Sequence, residues 1–163
     1  MAMLHFVQGD ITTMATDAIV NAANARLSDG AGVNGAIHRA AGPGLGPACQ
    51  AIGGCPTGEA RITAGFDLSA RYIIHAVGPV WNGGGHGEAE LLAGAYRNSL
   101  ALAEEFHLQS IAFPAISCGI FGYPVDEAAA IAVNTVRDSP LEVTFVLFSR
   151  EMSDVFLRQR PGA

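Results

Sequence analysis

The sequence contains no lysine; all nine of its basic residues are arginine. This excludes a P-loop, whose lysine reaches the phosphates, and it excludes Schiff-base chemistry. Any phosphate must be held by backbone N–H groups, helix N-termini or arginine. Charge is scarce overall, at 15% of residues, and the balance is acidic, with a net charge of −6 and a pI near 5.2. A general nucleic-acid binder needs a basic face, so that class is disfavoured. Aromatics make up 7%, with one tryptophan. Cysteine is limited to Cys49, Cys55 and Cys118, an odd count without framework spacing, which points to a reducing, cytoplasmic setting. No uncharged apolar run reaches the ~18 residues of a membrane span. The opening MAMLHFVQGD carries neither a basic n-region nor a long apolar core, so no signal peptide is expected. His5, His38, His86 and His107 share no ligand spacing, and neither a metal nor a cofactor is expected.

Half the residues are apolar, and 163 residues suit one globular domain spanning 1–163. Short apolar runs at Leu4 to Gln8, Asp17 to Ala23, Glu59 to Phe66, Arg71 to Val77, Ser110 to Ile116 and Val143 to Ser149 predict strands. Helices are predicted at 36–41, 47–52, 88–106, 124–138 and 150–158, with Pro124 at the first helical position of the fourth. Their alternation implies an α/β sheet covered on both faces, with ligands beyond the C-terminal strand ends.

Two glycine-containing loops fall at such ends. Gly30-Ala31-Gly32-Val33-Asn34-Gly35 fits G-x-G-x-x-G. The dinucleotide fold would place the first glycine directly after the strand, but six residues, Asn24 to Asp29, intervene. The acidic residue expected about 20 positions on is also missing. What remains is general: small residues permit close backbone approach, and the helix expected near Gly35 offers N–H groups to an anion. A tight, empty turn is the plain alternative. The second loop, Ser117-Cys118-Gly119-Ile120-Phe121-Gly122-Tyr123, runs from a strand toward Pro124 and can form an anion-binding nest. Phe121 between glycines suits a sugar or base, or serves as a plug. Two such loops without lysine suggest a diphosphate held by dipoles. Asn24, at a strand exit, suits ribose hydroxyls; Asn21, within the strand, suits local backbone groups. Asp10 suits an adenine amino group, or caps a turn through Ile11-Thr12-Thr13. Trp81 is expected to pin its loop. A Cys118–His75 thiol centre is a third, remote option.

The motifs VQGDIT (7–12), DAIVNAAN (17–24), GVNGAIHRAAG (32–42), CPTGEARIT (55–63), HAVGPVW (75–81) and FPAISCGIFGYP (113–124) occur in order. Together they resemble a macrodomain of the MacroD type over residues 5–149. The resemblance implies a three-layer α/β/α sandwich around a mixed, mostly parallel sheet. It implies an ADP-ribose cleft in which Asp10 and Ile11 meet the adenine, with Phe148 over it. Asn24 and Phe121 would flank the distal ribose. Gly30, Ala31, Gly32 and Val33, with Ser117, Cys118, Gly119, Ile120 and Phe121, would wrap the diphosphate. It further implies hydrolysis of ADP-ribosyl esters on acidic side chains or of O-acetyl-ADP-ribose by a monomer; a binding module without turnover is the alternative. The usual first loop of the family reads GGGGVDG, whereas this chain has DGAGVNG (29–35). Asn34 stands where a carboxylate is usual, and it cannot take a proton from water at neutral pH. Asp29 is the candidate substitute carboxylate, so Asn24, Asn34 and Asp29 are the expected catalytic set.

Overall fold

A computed structural model describes residues 3–162. Six strands form one sheet: β1 (Met3–Gln8), β2 (Ala18–Ala22), β3 (Ala60–Ala64), β4 (Tyr72–Ala76), β5 (Ser110–Phe113) and β6 (Glu142–Leu147). Their order is β1-β6-β5-β2-β4-β3. All neighbours run parallel except β3 and β4, which are antiparallel. The exception follows from connection length. A parallel return needs a crossover of a dozen residues or more. The chain between β3 and β4 is a short turn closed by Gly65 N donating to Arg71 O at 2.8 Å.

Five helices cover the sheet: α1 (Gly32–Ala41), α2 (Leu45–Ile52), α3 (Glu88–Glu105), α4 (Val125–Val136) and α5 (Arg150–Leu157). Alternate residues of each strand face opposite layers. Val20, Ile74, Phe113 and Phe145 pack with Leu92 and Tyr96 of α3, Val133 of α4 and Phe156 of α5. Ile19, Ile73, Ala112 and Val146 pack with Ile37 of α1 and Leu45 of α2 on the other face. The result is the three-layer α/β/α sandwich with a mixed, mostly parallel sheet.

Several local boundaries differ from the sequence reading by a few residues, three of them beside the two loops. Helix α1 begins at Gly32, three residues before the expected Gly35 start, so Val33 and Asn34 lie in its first turn. Pro124 is the residue preceding α4, with φ −57° and ψ 125°, rather than its first helical residue. Strand β5 stops at Phe113 because Pro114 has no N–H for the ladder.

After β2 the chain leaves for α1 on one face of the sheet; after β5, its neighbour, it leaves for α4 on the other. Diverging connections open a crevice at the carboxyl ends of this strand pair.

Candidate functional site

The crevice is a cleft of about 220 Å³. One wall comes from Ala22, Ala23 and Asn24 at the end of β2 and from Gly30 to Asn34, which run into α1. The opposite wall comes from Gly78, Pro114, Ala115, Ile116 and Ser117, with Gly119, Ile120 and Phe121. No lining side chain is charged.

Its polar character comes from the backbone. Ala31 precedes α1, and no side chain caps that helix end. The first N–H groups of an α-helix have no intrahelical partner. Those of Gly32, Val33 and Asn34 therefore face the cleft with their donors free, at the positive end of the helix dipole. Ala31 has φ −99°, so its methyl group introduces no backbone strain. Across the cleft, Ser117 adopts φ +68°. Its hydroxyl donates to Pro79 O at 2.8 Å and its carbonyl accepts from Tyr123 N at 2.9 Å. These bonds turn the following segment so that the N–H groups of Gly119, Ile120 and Phe121 donate to no acceptor among the described residues. Two sets of unpaired donors thus oppose each other across a cleft with no cation.

The first wall is fixed by three asparagines. Asn24 Oδ1 accepts from Ser28 N at 3.1 Å and its Nδ2 donates to Ser28 O at 3.1 Å. Asn34 Nδ2 donates to the same carbonyl at 2.8 Å. Asn34 Oδ1 accepts from Asn21 Nδ2 at 2.8 Å, and that amide also lies 3.1 Å from His75 Nδ1. His75 Nδ1 is therefore the acceptor, and Nε2 carries the proton toward Thr63 Oγ1 at 3.0 Å. Burial, and then the nearby His38, hold the His75 pKa down to about 4, so the ring is neutral in this buried chain.

A macro domain family model matches residues 20–132. The chain belongs to the macro domain family. It is 58% identical over 160 residues to a macro domain-containing protein of Chlorobaculum tepidum, covering 94% of this chain and 93% of that one. It is 55% identical over 165 residues to a Salmonella typhimurium protein named O-acetyl-ADP-ribose deacetylase, covering 95% and 92%. Among solved structures it is similar to an Oceanobacillus iheyensis macrodomain with ADP, at 47% identity and TM-score 0.92 over 96% of this chain and 88% of that one. It is also similar to a Trypanosoma brucei macrodomain in complex with ADP-ribose, at 39% identity and TM-score 0.90, over 95% and 68%.

The residues anticipated from sequence divide into groups in this macro domain. Asn24, Gly30, Ala31, Gly32, Val33, Asn34, Ser117, Gly119, Ile120 and Phe121 share the cleft. Asp29 does not line it. Asp29 Oδ1 accepts from Gly30 N at 2.7 Å, and the residue lines a second depression behind the loop. Asp10 caps the 3₁₀ turn Ile11–Thr13, accepting from Thr12 N at 2.9 Å and Thr12 Oγ1 at 2.7 Å. Both bonds use Oδ1, so Oδ2 keeps its acceptor capacity. Ile11 is a core residue under α1. Phe148, just beyond β6, is 85% exposed.

The thiol reading fails. Cys118 packs against the α3/α4/α5 core, its Sγ lies 3.6 Å from Ile116 O, and burial pushes its pKa up to about 12. His75 pairs with Asn21 and Thr63, and the sulfur near it, at 3.9 Å, belongs to Cys49. A protonated thiol without a base is no nucleophile. Asn21 also departs from the sequence reading: its amide bonds two side chains, not local backbone. His38 lines the second depression.

Sequence reasoning missed Gly78 and the Pro114–Ile116 segment. A Cβ at Gly78 would collide with Ser117 Oγ and Ile116 Cγ2. Gly-Pro directly after a strand was the available signal.

Trp81 pins its loop as expected. Its backbone N–H donates to Phe121 O at 2.8 Å, and its ring lies 4.6 Å from that of Tyr123. The next segment wraps the Glu88 carboxylate, which accepts from Asn82 N, Gly84 N and His86 N at 2.7–3.0 Å. Burial raises the Glu88 pKa, but these backbone bonds outweigh it and bring the value down to about 2. A depressed carboxylate pKa stabilises the fold above the unfolded-state value. That contribution is lost as pH falls from ~4.3 toward ~2. A Glu88→Gln variant should melt at a lower temperature than the native protein at pH 7. The gap should close in melts taken toward pH 2; a gap of constant size would remove Glu88 from the acid response.

Proposed function

We propose that this macro domain binds ADP-ribose and hydrolyses ADP-ribosyl esters, on acidic side chains of proteins or in O-acetyl-ADP-ribose. The observation that carries the reading is the uncharged cleft with unpaired N–H groups on both walls. Such a site suits a diphosphate, whose oxygens accept from the α1 N-terminus on one side and from Gly119 to Phe121 on the other. The relatives named for ADP, ADP-ribose and O-acetyl-ADP-ribose support the same ligand. On this reading Asn24 and Phe121 flank the distal ribose, while Asp10 and Ile11, with Phe148, meet the adenine end. The chain acts as a monomer of the MacroD type. Its three free cysteines fit a reducing, cytoplasmic setting.

Asn34 orients the attacking water but does not take its proton. One hydrogen of Nδ2 and one lone pair of Oδ1 are committed to Ser28 and Asn21, leaving one of each for water. With no carboxylate on the cleft wall, the proton goes to an oxygen of the substrate's own diphosphate. That route predicts slow turnover.

The same feature favours a second reading, a binding module without turnover. Calorimetry with ADP-ribose, followed by incubation with a glutamate-linked mono-ADP-ribosylated peptide, separates them. Binding with release of ADP-ribose supports the hydrolase, and binding without release supports the module. No binding removes both.

A further inference from the structure

Behind the first loop lies a second, wider depression of about 640 Å³. It is lined by Arg26, Ser28, Asp29, His38, Arg39 and Gln50, with Leu27, Gly42, Pro43, Gly46 and Pro47 completing its walls. It differs from the ADP-ribose cleft in kind. The cleft wall carries no charged side chain, whereas this depression carries two of the nine arginines in an acidic protein.

Neither guanidinium is committed. Arg26 and Arg39 are exposed, and among the described residues neither forms an ion pair or a side-chain hydrogen bond. Among the lining residues Asp29 is the one carboxylate, and one of its oxygens is held by Gly30 N; the Asp67 carboxylate lies against Gly42 at the margin. His38, 9% exposed on the lining, has a buried Nε2 without a hydrogen-bond partner. Two arginines against one partly occupied carboxylate on the lining leave a local positive charge. Arginine is the side chain best shaped to grip a carboxylate with two parallel bonds.

The depression and the cleft are two sides of one strip of chain. Asn24, Gly30 and Asn34 face the cleft; Ser28 and Asp29, between them in sequence, face the depression. On the ADP-ribose reading, a polypeptide esterified to a ribose held at Asn24 leaves the cleft beside this strip, on whose other side Ser28, Asp29 and the two arginines line the depression.

We propose that this depression is a docking site for the polypeptide part of the substrate, and that Arg26 and Arg39 select acidic residues flanking the modified side chain. The proposal rests on the ADP-ribose reading above, and it defines the substrate class as ADP-ribosylated acidic segments of proteins. It makes Arg26 and Arg39 specificity residues that take no part in holding the nucleotide. Free ADP-ribose and O-acetyl-ADP-ribose leave the depression empty.

Two peptides test it, each carrying ADP-ribose on a glutamine amide nitrogen in place of the ester oxygen, so that neither is consumed. One has acidic neighbours and the other neutral ones. Calorimetry with these peptides and with free ADP-ribose is done on the native protein and on an Arg26→Gln/Arg39→Gln variant. The native protein should bind the acidic peptide about tenfold more tightly than the neutral one, with a preference that shrinks as salt rises. The variant should lose the preference and keep the native affinity for ADP-ribose. Equal native affinities for both peptides, or a preference that survives the double substitution, would overturn the proposal while leaving ADP-ribose binding intact. Loss of ADP-ribose affinity in the variant would overturn it too, by placing the arginines in the nucleotide site. If the native protein does not bind ADP-ribose, the functional reading itself falls, and this one with it.

Discussion

An Asn34→Asp variant is expected to hydrolyse a glutamate-linked ADP-ribosyl ester about a hundredfold faster than the native protein, at the low end of what a positioned general base contributes. Asn34 sits in the first turn of α1, on the cleft wall, 6% exposed. Its amide is shaped to its partners: Oδ1 accepts from Asn21 and Nδ2 donates to Ser28 O. A carboxylate keeps the first bond, because both oxygens accept. It cannot make the second, because two acceptors would face each other. The free oxygen is driven from the Ser28 carbonyl toward the cleft, where it can take a proton from water. The gain has a cost. Ser28 O now accepts from both Asn24 and Asn34, and the variant retains only the Asn24 bond. Losing one neutral hydrogen bond costs about 1 kcal/mol, so ADP-ribose affinity should weaken severalfold. Single-turnover rates with saturating enzyme, measured beside calorimetric affinities, separate the two effects. An unchanged or slower rate with binding retained would show that the substrate's diphosphate serves as well as a protein carboxylate.

Gly35→Ala should have the second large effect, on binding and on stability together. A Cβ at Gly35 would overlap the Gly30 carbonyl oxygen and meet Arg39 Nη1 at 3.2 Å. The first contact cannot be relieved by turning a side chain, since its partner is backbone. Either the 28–31 loop lifts or the first turn of α1 shifts, and the free N–H groups of that turn lose their aim. Overpacking of this kind costs about 1–3 kcal/mol of stability. ADP-ribose affinity should fall at least tenfold. Thermal melting and calorimetry on one preparation check both. A variant with native affinity would show that this helix end does not hold the ligand. Gly32 is the contrasting control. It has φ +60° but open space around a Cβ, so an alanine there strains the backbone without striking the loop.

The sequence by itself determined the layer architecture, because strand and helix periods alternate cleanly and every strand from β2 to β6 falls within or beside an apolar run. It also pointed to backbone N–H groups rather than lysine as the donors at the two loops, and the cleft those loops line carries no charged side chain among the described residues. The family was legible in the ordered motifs from Val7 to Pro124. Departures from the sequence reading came where a residue's role depends on what lies across the sheet. Asn21 looked like a local backbone partner because its partners, Asn34 and His75, lie 13 and 54 residues away. Asp29 looked like a substitute carboxylate because sequence spacing cannot say on which side of a loop a side chain falls. Cys118 and His75 looked pairable until the sheet put them on opposite faces. The α1 start at Gly32 was decided by tertiary packing too. Ile37 and Ala41 must reach the core under the sheet, and that draws the helix N-terminus up to the cleft wall. The grouping of Arg26 with Arg39 and His38 is likewise tertiary, since it exists only because α1 and the loop before it fold back beside each other. Local periods and turn chemistry can be read along the chain, but contacts between distant segments are fixed only when the two faces of the sheet are closed.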